Sequence, residues 1–232
     1  MALLLSFDTA TSHLSVVLGQ AGRPIAFRED ASTQLSHAER LNVFIDEVME
    51  EAGLGLRELG AVAVGTGPGS YTGLRIGLSA AKGLCFALDK PLIGMGTLEV
   101  MLAQLLAERG EADANARYVP MVDARRMEVY ARTFGPGGEP LDATAPLILD
   151  AAWCAARPEA ERTHVFGDGA DKAADLWAQF PRIIHVPGIR PGVAGSARCA
   201  ERHYAEGRFS DLAYLVPEYG KPANVAQKRG KE

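Results

Sequence analysis

Acidic residues end two apolar runs of this 232-residue chain, at positions where a carboxylate could bind a metal ion. The run LLLSFD ends at Asp8, and the run YVPMVD ends at Asp123. A buried strand that ends in a carboxylate can present it to Mg²⁺, often through water. A turn or helix-cap role is the more common use of aspartate at such a position, so both interpretations are kept.

A glycine-rich loop between a predicted strand and a predicted helix could hold a phosphate. The stretch VGTGPGSYTGLRIG, residues 64–77, contains Gly67 and Gly69. Backbone N–H groups converge on negative charge in such loops. Both standard nucleotide patterns are nevertheless absent, because Tyr71-Thr72-Gly73 replaces the Gly-Lys-Ser/Thr of a P-loop and Ser70 replaces the last glycine of GxGxxG. We therefore assign no cofactor to this loop.

The histidines and cysteines predict neither a metal site nor a catalytic centre. No two of the five histidines are three or four residues apart and no CxxC occurs, so a helix-borne zinc or iron site is not expected. Ser70 lacks the GxSxG setting of a nucleophilic serine. Cys85, Cys154 and Cys199 are odd in number and far apart, which favours core thiols in a reducing, cytoplasmic compartment.

The composition is that of an ordinary globular protein, with 47% hydrophobic and 23% charged residues. The formal net charge of −5 argues against tight unaided binding to nucleic acid. The start MALLLSFD lacks a basic n-region, and no apolar stretch is long enough to cross a bilayer. We therefore expect neither a signal peptide nor a membrane contact.

The order of predicted elements occurs twice along the chain. Each half begins with a strand that ends in aspartate, continues with a hairpin, and later has a strand that leads through glycines towards a helix. The predicted strands are 3–8, 13–19, 24–29 and 61–67 in the first half, and 118–123, 127–134 and 163–169 in the second. The pattern predicts a duplicated α/β protein with domains 1–110 and 111–220 and a loose basic tail at 221–232. A helix with Thr97 as N-cap and Gly110 just beyond its end precedes the domain boundary.

Such a duplication, with aspartate before each hairpin, is the architecture of the actin, Hsp70 and sugar-kinase superfamily. Its members bind ATP between the two units. The residues that would surround a nucleotide here are Asp8, Asp123, Gly167 and Gly169. Thr9 follows Asp8 where glycine would let backbone amides approach a phosphate, and the bulky pair Arg125-Arg126 follows Asp123. Weak or vestigial nucleotide binding at the interdomain cleft is therefore the alternative to no cofactor at all.

Two predicted helices carry surfaces that suit helix packing. From Ser36 to Ala52 apolar residues recur at helical spacing opposite acidic ones, with Ser36 and Glu39 as a capping box. The next helix, starting near Thr72, has small residues at every fourth position, although an interior glycine costs about 1 kcal/mol relative to alanine. The smooth stripe of Gly73, Gly77 and Ala81 lets another helix approach closely, from the same chain or from a second protein.

Five segments together resemble the bacterial TsaB family, also called YeaZ. They are SFDTAT at 6–11, SHAERL at 36–41, GTGPGSYTGLRIGLSAAKGL at 65–84, VDARRMEVYA at 122–131 and GDG at 167–169. GPGSYTGLR is quite specific to this family, and the other segments occur in its order over most of the chain. The resemblance implies an actin-like fold of two α/β domains and a part in making N6-threonylcarbamoyladenosine beside the anticodon of tRNAs that read ANN codons.

The resemblance also implies partners. Members of the family are regarded as non-catalytic relatives of TsaD, the subunit that transfers the threonylcarbamoyl group, and they work with the ATPase TsaE. The helix histidine pair of TsaD is missing from the corresponding region GTLEVMLA at 96–103. Because the family binds TsaD through its first two helices, the implied partner-binding residues are Leu41, Phe44, Ile45, Val48, Gly73, Arg75, Gly77, Leu78 and Ala81.

Three alternatives stay open on the sequence. The first is an ATP-dependent small-molecule kinase of the same superfamily. The second is a homodimer of the free chain. The third is a contact between tRNA phosphates and the basic tail, whose cations are Lys221, Lys228, Arg229 and Lys231.

Overall fold

The computed structural model describes residues 1–31, 37–110, 113–158 and 161–220. Its first five strands are β1 Leu3–Asp8, β2 Leu14–Gln20, β3 Arg23–Asp30, β4 Ala61–Gly67 and β5 Leu92–Gly96. They form one mixed sheet in the order β3-β2-β1-β4-β5. The β1–β2 and β2–β3 pairs are antiparallel, whereas β4 runs parallel to β1 and β5 runs parallel to β4.

The next five strands form a second sheet of the same design. They are β6 Ala116–Asp123, β7 Glu128–Ala131, β8 Ala145–Ile148, β9 Arg162–Phe166 and β10 Ile183–Val186. Their order is β10-β9-β6-β7-β8, again with two antiparallel pairs on one side of the central strand and two parallel pairs on the other. Each strand therefore occupies the place and direction of its counterpart five strands earlier, which confirms the predicted duplication.

Seven α-helices are described, besides a 3₁₀ turn at Leu56–Glu58. They are α1 His37–Ala52, α2 Tyr71–Leu88, α3 Thr97–Arg109, α4 Ala151–Ala155, α5 Asp168–Asp171, α6 Ala174–Trp177 and α7 Val193–Ala205. The apolar stripe of α1 and the inner side of α2 bury one face of the first sheet, while α3 and α7 cover its opposite face. On the second sheet α5 contacts β6 and α6 contacts β10. None of these helices is long and apolar enough to cross a membrane.

The end of the described chain returns to the first sheet. After α7, residues 208–220 form a segment that we call the C-terminal strap. Ser210 N donates to the carbonyl of Leu92 over 2.8 Å, and Glu218 N donates to the carbonyl of Thr66 over 2.7 Å. The predicted boundary after residue 110 thus separates the two sheets, but α7 and the strap pack on the first sheet although they follow the second in sequence.

Several local predictions are corrected by the structure. Gly96, not Thr97, is the N-cap of α3; Thr97 is its first residue and its buried Oγ1 has no hydrogen-bond partner in the described chain. The strand predicted at 127–134 is shorter, since β7 ends at Ala131 and only Phe134 bonds to β6 again, through a bridge with Tyr118. Gly110 does end α3, and the three cysteines are buried free thiols, as expected. Ser36 and the tail 221–232 lie outside the described residues.

Candidate functional site

Asp8 lies at the carboxyl end of β1, completely buried. Its Oδ1 accepts a hydrogen bond of 2.7 Å from the backbone N–H of Ala10. Its Oδ2 has no partner within the described residues and lies against Gly65 on the neighbouring strand. Burial raises the pKa of Asp8 to about 6, although the Ala10 N–H and the charge of His13 act in the opposite direction. The carboxylate is therefore packed inside the first unit and is not presented to the cleft.

The loop between β1 and β2 packs directly against the glycine-rich loop. Ser70 N donates to the carbonyl of Ala10 over 2.6 Å, and Thr9 Oγ1 donates to the carbonyl of Gly73 over 2.7 Å. A Cβ at Gly69 would overlap Ala10, and one at Gly73 would overlap the carbonyl of Thr9. The glycines are thus required by close packing within this chain, and the segment after Asp8 occupies the start of α2, where a phosphate would otherwise bind.

The equivalent residues of the second unit are also engaged by protein. Asp123 is exposed and forms an ion pair with Lys172, while its N–H donates to Oδ1 of Asp168 over 3.1 Å. A Cβ at Gly167 would overlap the carbonyl oxygen of Met121 on β6, and one at Gly169 would overlap the side chain of Val129 on β7. The structure therefore places the weak nucleotide candidates Asp8, Asp123, Gly167 and Gly169 in contacts that stabilise the two sheets.

A cavity of about 290 Å³ lies beside these loops, at the carboxyl ends of β4 and β5. Gly67 contributes to its wall, and a Cβ there would overlap the carbonyl of Glu218 in the strap. It is surrounded by β4, β5, α3, α7, the strap and the segment between β7 and β8 of the second unit, so it is an interdomain space. Its ionisable residues are Glu99, Arg132, His203, Arg208 and Glu218. The crevice outside the carboxyl ends of strands is where open α/β sheets bind ligands.

Glu99, which is partly exposed, and the buried His203 lie together in this cavity wall. His203 is only 3% exposed. Its Nε2 bonds Oε1 of Glu99 over 2.8 Å and its Nδ1 bonds the carbonyl of Gly94 over 3.2 Å. Burial raises the pKa of Glu99, but His203 and Arg202 outweigh that effect, so its pKa lies below the ordinary value. Each ring nitrogen of the histidine thus faces one oxygen acceptor.

Most residues of the predicted partner-binding surface are buried within this chain. A Cβ at Gly77 would overlap Thr9 Oγ1 and contact Val64, so this face of α2 is already covered by the β1–β2 loop and β4. Gly77 therefore packs inside the first unit, and its contact with a helix of another protein stays a prediction. Seven other residues of the predicted set are likewise buried: Leu41, Phe44, Ile45, Val48, Gly73, Leu78 and Ala81. Arg75 is exposed, and its role in partner binding stays a prediction.

The exposed side of α2 carries a different stripe, which the sequence analysis missed. We call it the outer stripe; its residues are Thr72, Arg75, Ser79, Gly83 and Phe86, all exposed and spaced by three or four. Phe86 is 82% exposed. A Cβ at Gly83 would meet no atom within 4 Å. The stripe is thus small in its middle and apolar at one end, and no described part of the chain covers it there.

Arg75 links the outer stripe to the strap. Its guanidinium lies 4.1 Å from the ring centroid of Tyr71, and its Nε donates to the hydroxyl of Tyr219 over 2.9 Å. The rings of Tyr71 and Tyr219 are 4.6 Å apart. The contacts with Tyr219 join residues far apart in sequence, since Arg75 and Tyr219 are 144 positions apart, so spacing alone could not reveal them.

Among the described residues, no three His, Cys, Asp or Glu side chains are grouped so that they could hold a metal ion. The chain matches the family model described as "TsaD: tRNA N6-adenosine threonylcarbamoyltransferase" over residues 30–181. The TsaB protein of Haemophilus influenzae is 41% identical over 127 residues, which cover 55% of this chain and 51% of that protein. The chain thus spans about half the length of this relative. The TsaB protein of Bacillus subtilis is 28% identical over 97% of this chain and 96% of its own length.

Solved structures agree on the fold. YeaZ from Pseudomonas aeruginosa matches with a TM-score of 0.76 at 26% identity, covering 94% of this chain and all of that chain. An inorganic polyphosphate/ATP-glucomannokinase from Arthrobacter matches with a TM-score of 0.55 at 13% identity, over 89% of this chain, and shows likeness of fold alone. Two sheets of one duplicated topology with helices on their faces define an α/β protein of the actin-like class. Within that class the chain belongs to the TsaB (YeaZ) family.

Proposed function

We propose that this chain is a non-catalytic, cytoplasmic subunit in the synthesis of N6-threonylcarbamoyladenosine in tRNA. It pairs with a TsaD-like catalytic subunit, works with a TsaE-like ATPase and meets tRNA within their complex. The names of its relatives support the pathway, since they are called tRNA threonylcarbamoyladenosine biosynthesis proteins. The match to the TsaD family model supports a common ancestry with the proposed partner.

The observation that carries the non-catalytic role is the closure of the Asp8 region. The carboxylate that would face a nucleotide is buried against Gly65, and the carbonyl of Ala10 accepts from the N–H of Ser70 at the start of α2. A magnesium nucleotide would have to displace these contacts to reach either group. This arrangement favours a structural role for the first unit over the alternative of a small-molecule kinase.

The outer stripe of α2 is the surface that we assign to the TsaD-like subunit. An aromatic side chain that is 82% exposed on a helix with a bare Gly83 offers both an apolar anchor and room for close approach of another helix. The buried apolar side chains of α1 and the inner glycines of α2 then act indirectly, since they hold the two helices on the sheet.

A pair of leucine substitutions tests this assignment. Gly83→Leu adds bulk to the middle of the outer stripe without meeting another atom of the chain. We expect its melting temperature to equal or exceed that of the wild type, since leucine is a better helix former than glycine. Binding to the TsaD-like subunit should weaken by at least tenfold in calorimetry, because the helices can no longer approach. The matched control is Ala152→Leu, which adds a leucine at an exposed position of α4 in the second unit.

The same samples are then assayed for modified tRNA with the TsaD-like and TsaE-like subunits. Wild-type chain and the Ala152→Leu control should support modification, and Gly83→Leu should not. Unchanged affinity of Gly83→Leu would show that the partner binds elsewhere. Formation of the modified nucleoside at the wild-type rate without this chain would refute the proposed function itself.

A further inference from the structure

The turn between β6 and β7 holds two adjacent arginines in an unusual backbone conformation. Arg125 has φ +73° and Arg126 has φ +52°. Only four non-glycine residues of the described chain have positive φ, and these two are the only neighbours among them. Residues other than glycine, asparagine and aspartate seldom adopt positive φ, because Cβ crowds the backbone there. Two consecutive arginines there are therefore unexpected on local grounds.

Three hydrogen bonds from backbone N–H groups stabilise this conformation. Arg125 N donates to Oδ1 of Asp123 over 2.8 Å. Ala124 N donates to the carbonyl of Glu128 over 3.1 Å, and Glu128 N donates to the carbonyl of Arg125 over 3.2 Å. Glycine would satisfy the same pattern with less strain. Strained backbone is most often found at functional sites. The strain at this exposed turn therefore indicates a functional role for the two arginine side chains.

Both arginine side chains are exposed, and neither forms an ion pair or a side-chain hydrogen bond with another described residue. Two neighbouring carboxylates, those of Asp123 and Asp168, are engaged elsewhere. Asp123 pairs with Lys172 and accepts the N–H of Arg125, while Asp168 accepts the N–H of Asp123. Lys172 also donates to the carbonyl of Glu128 over 2.6 Å. The two guanidinium groups thus keep their charge and their donors available to a ligand.

The surface around the turn suits a long anionic ligand better than a small one. An open groove of about 590 Å³ runs beside residues 124–128 and Ile148. Met127 is 42% and Ile148 63% exposed at its edge. A small-molecule site encloses most of its ligand, whereas this groove is shallow and exposed. Guanidinium groups bind phosphate through paired N–H donors, and exposed apolar side chains beside them can pack on ribose and base faces.

We propose that the β6–β7 turn, residues 124–127, contacts the phosphodiester backbone of an RNA. This inference rests on the proposed function, which brings the chain to tRNA, and it names the surface that tRNA meets. The net charge of −5 keeps the isolated chain from binding RNA tightly, so the turn contributes mainly where another subunit already holds the RNA. The surface belongs to the second unit, whereas the outer stripe of α2 belongs to the first.

The test replaces both arginines by the residue that the backbone prefers. In Arg125→Gly/Arg126→Gly the two charges are lost while the strain is relieved, so the melting temperature should equal or exceed that of the wild type. Affinity of the assembled complex for a transcript of a tRNA that reads an ANN codon should fall about tenfold at low salt. The slope of log K against log salt should fall by about 1.4 to 1.8, the value for two phosphate contacts.

The control removes two equally exposed arginines of the first unit. Arg23→Gln/Arg57→Gln causes the same change in net charge and should leave both affinity and slope nearly unchanged. Wild-type affinity and slope in the glycine double variant would overturn the inference, as would an equal loss in the control. A double variant that loses ATP or inorganic phosphate binding but keeps tRNA binding would also overturn it, in favour of a nucleotide site.

A separate measurement, of pairing with the TsaD-like subunit, shows whether the proposed function fails. Pairing with the TsaD-like subunit is measured on the same preparations, and the double glycine variant should pair normally. If the wild type does not pair at all, the proposed function fails. The isolated full chain is then titrated with the same tRNA at low salt: lower affinity of the glycine variant than of the control supports the inference, and equal affinity overturns it.

Discussion

Asp8 and Gly65 stand side by side on the parallel strands β1 and β4, and the carboxylate of the first occupies the space of a side chain at the second. Oδ2 of Asp8 lies where a Cβ at residue 65 would stand. Residue 65 must therefore be glycine to leave room for the carboxylate of Asp8. Oδ2 of that carboxylate accepts no hydrogen bond from the described chain. Stability and ionisation are therefore coupled at this pair.

Gly65→Ala should destabilise the chain by about 1–3 kcal/mol, the usual cost of adding a methyl group to a packed interior. Urea unfolding followed by circular dichroism measures the loss. In a double-mutant cycle, Asp8→Ala should recover much of it, because the added methyl group then has room. Additive effects of the two substitutions would show that the strain at residue 65 does not arise from the carboxylate of Asp8.

Asp8 should also make stability depend on pH. Its pKa is about 6 in the folded chain against an ordinary value of 3.8, so between these values the folded state keeps a proton that the unfolded state has released. The free energy of unfolding therefore falls as pH rises from about 4 to 6, by at most about 3 kcal/mol.

Comparison of the wild type with Asp8→Asn isolates this contribution. The asparagine keeps an acceptor for the Ala10 N–H but cannot ionise. Above pH 6 the variant should gain stability relative to the wild type, and below pH 4 the difference should become constant. Parallel unfolding free energies across this range would contradict the raised pKa.

The two glycines of α2 should respond in opposite directions. Gly77→Leu should cost about 3 kcal/mol or more, because the side chain would overlap Thr9 and Val64 in a well-packed core. Gly83→Ala should raise stability by up to about 1 kcal/mol, since it improves helix propensity at an open position. Thermal melts of the isolated chain check both. A Gly77→Leu variant as stable as the wild type would show that Gly77 lies on the protein surface.

Much of the fold was predictable because hydrophobic period and turn residues are local signals. The runs ending at Asp8 and Asp123 are strands, and the repeat of elements did correspond to two sheets of one topology. The direction of the glycine stripe was not predictable. Small residues on a helix indicate close approach, but only the position of Thr9 shows that the approaching group is a loop of the same chain.

The interdomain cavity was not predictable for a related reason. Glu99 and His203 are 104 positions apart, and no local pattern connects a glutamate in the first turn of α3 with a histidine near the end of α7. The strained pair Arg125-Arg126 was visible as a departure from the superfamily pattern. Its positive φ values are a property of the turn, which the sequence alone does not reveal.

The last prediction concerns His203, which joins α7 to the first sheet. Its ring bonds both the carboxylate of Glu99 and the carbonyl of Gly94 while almost wholly buried. His203→Ala should destabilise the chain by about 2–3 kcal/mol, because it leaves a buried carbonyl unpaired and removes a partner of a carboxylate. Arg202→Ala, on the exposed side of the same carboxylate, should cost about 1 kcal/mol or less.

The sign of the accompanying pH effect follows from Glu99. Its lowered pKa means that the folded state releases this proton more readily than the unfolded state, so the contribution to stability is present above the unfolded pKa and is lost as pH falls through the folded one. Removal of His203 should shrink this acid-side loss, whereas Arg202→Ala should change it less. Urea titrations between about pH 3 and 7 decide the matter, since an unchanged acid-side slope in His203→Ala would mean that the histidine does not stabilise the ionised carboxylate.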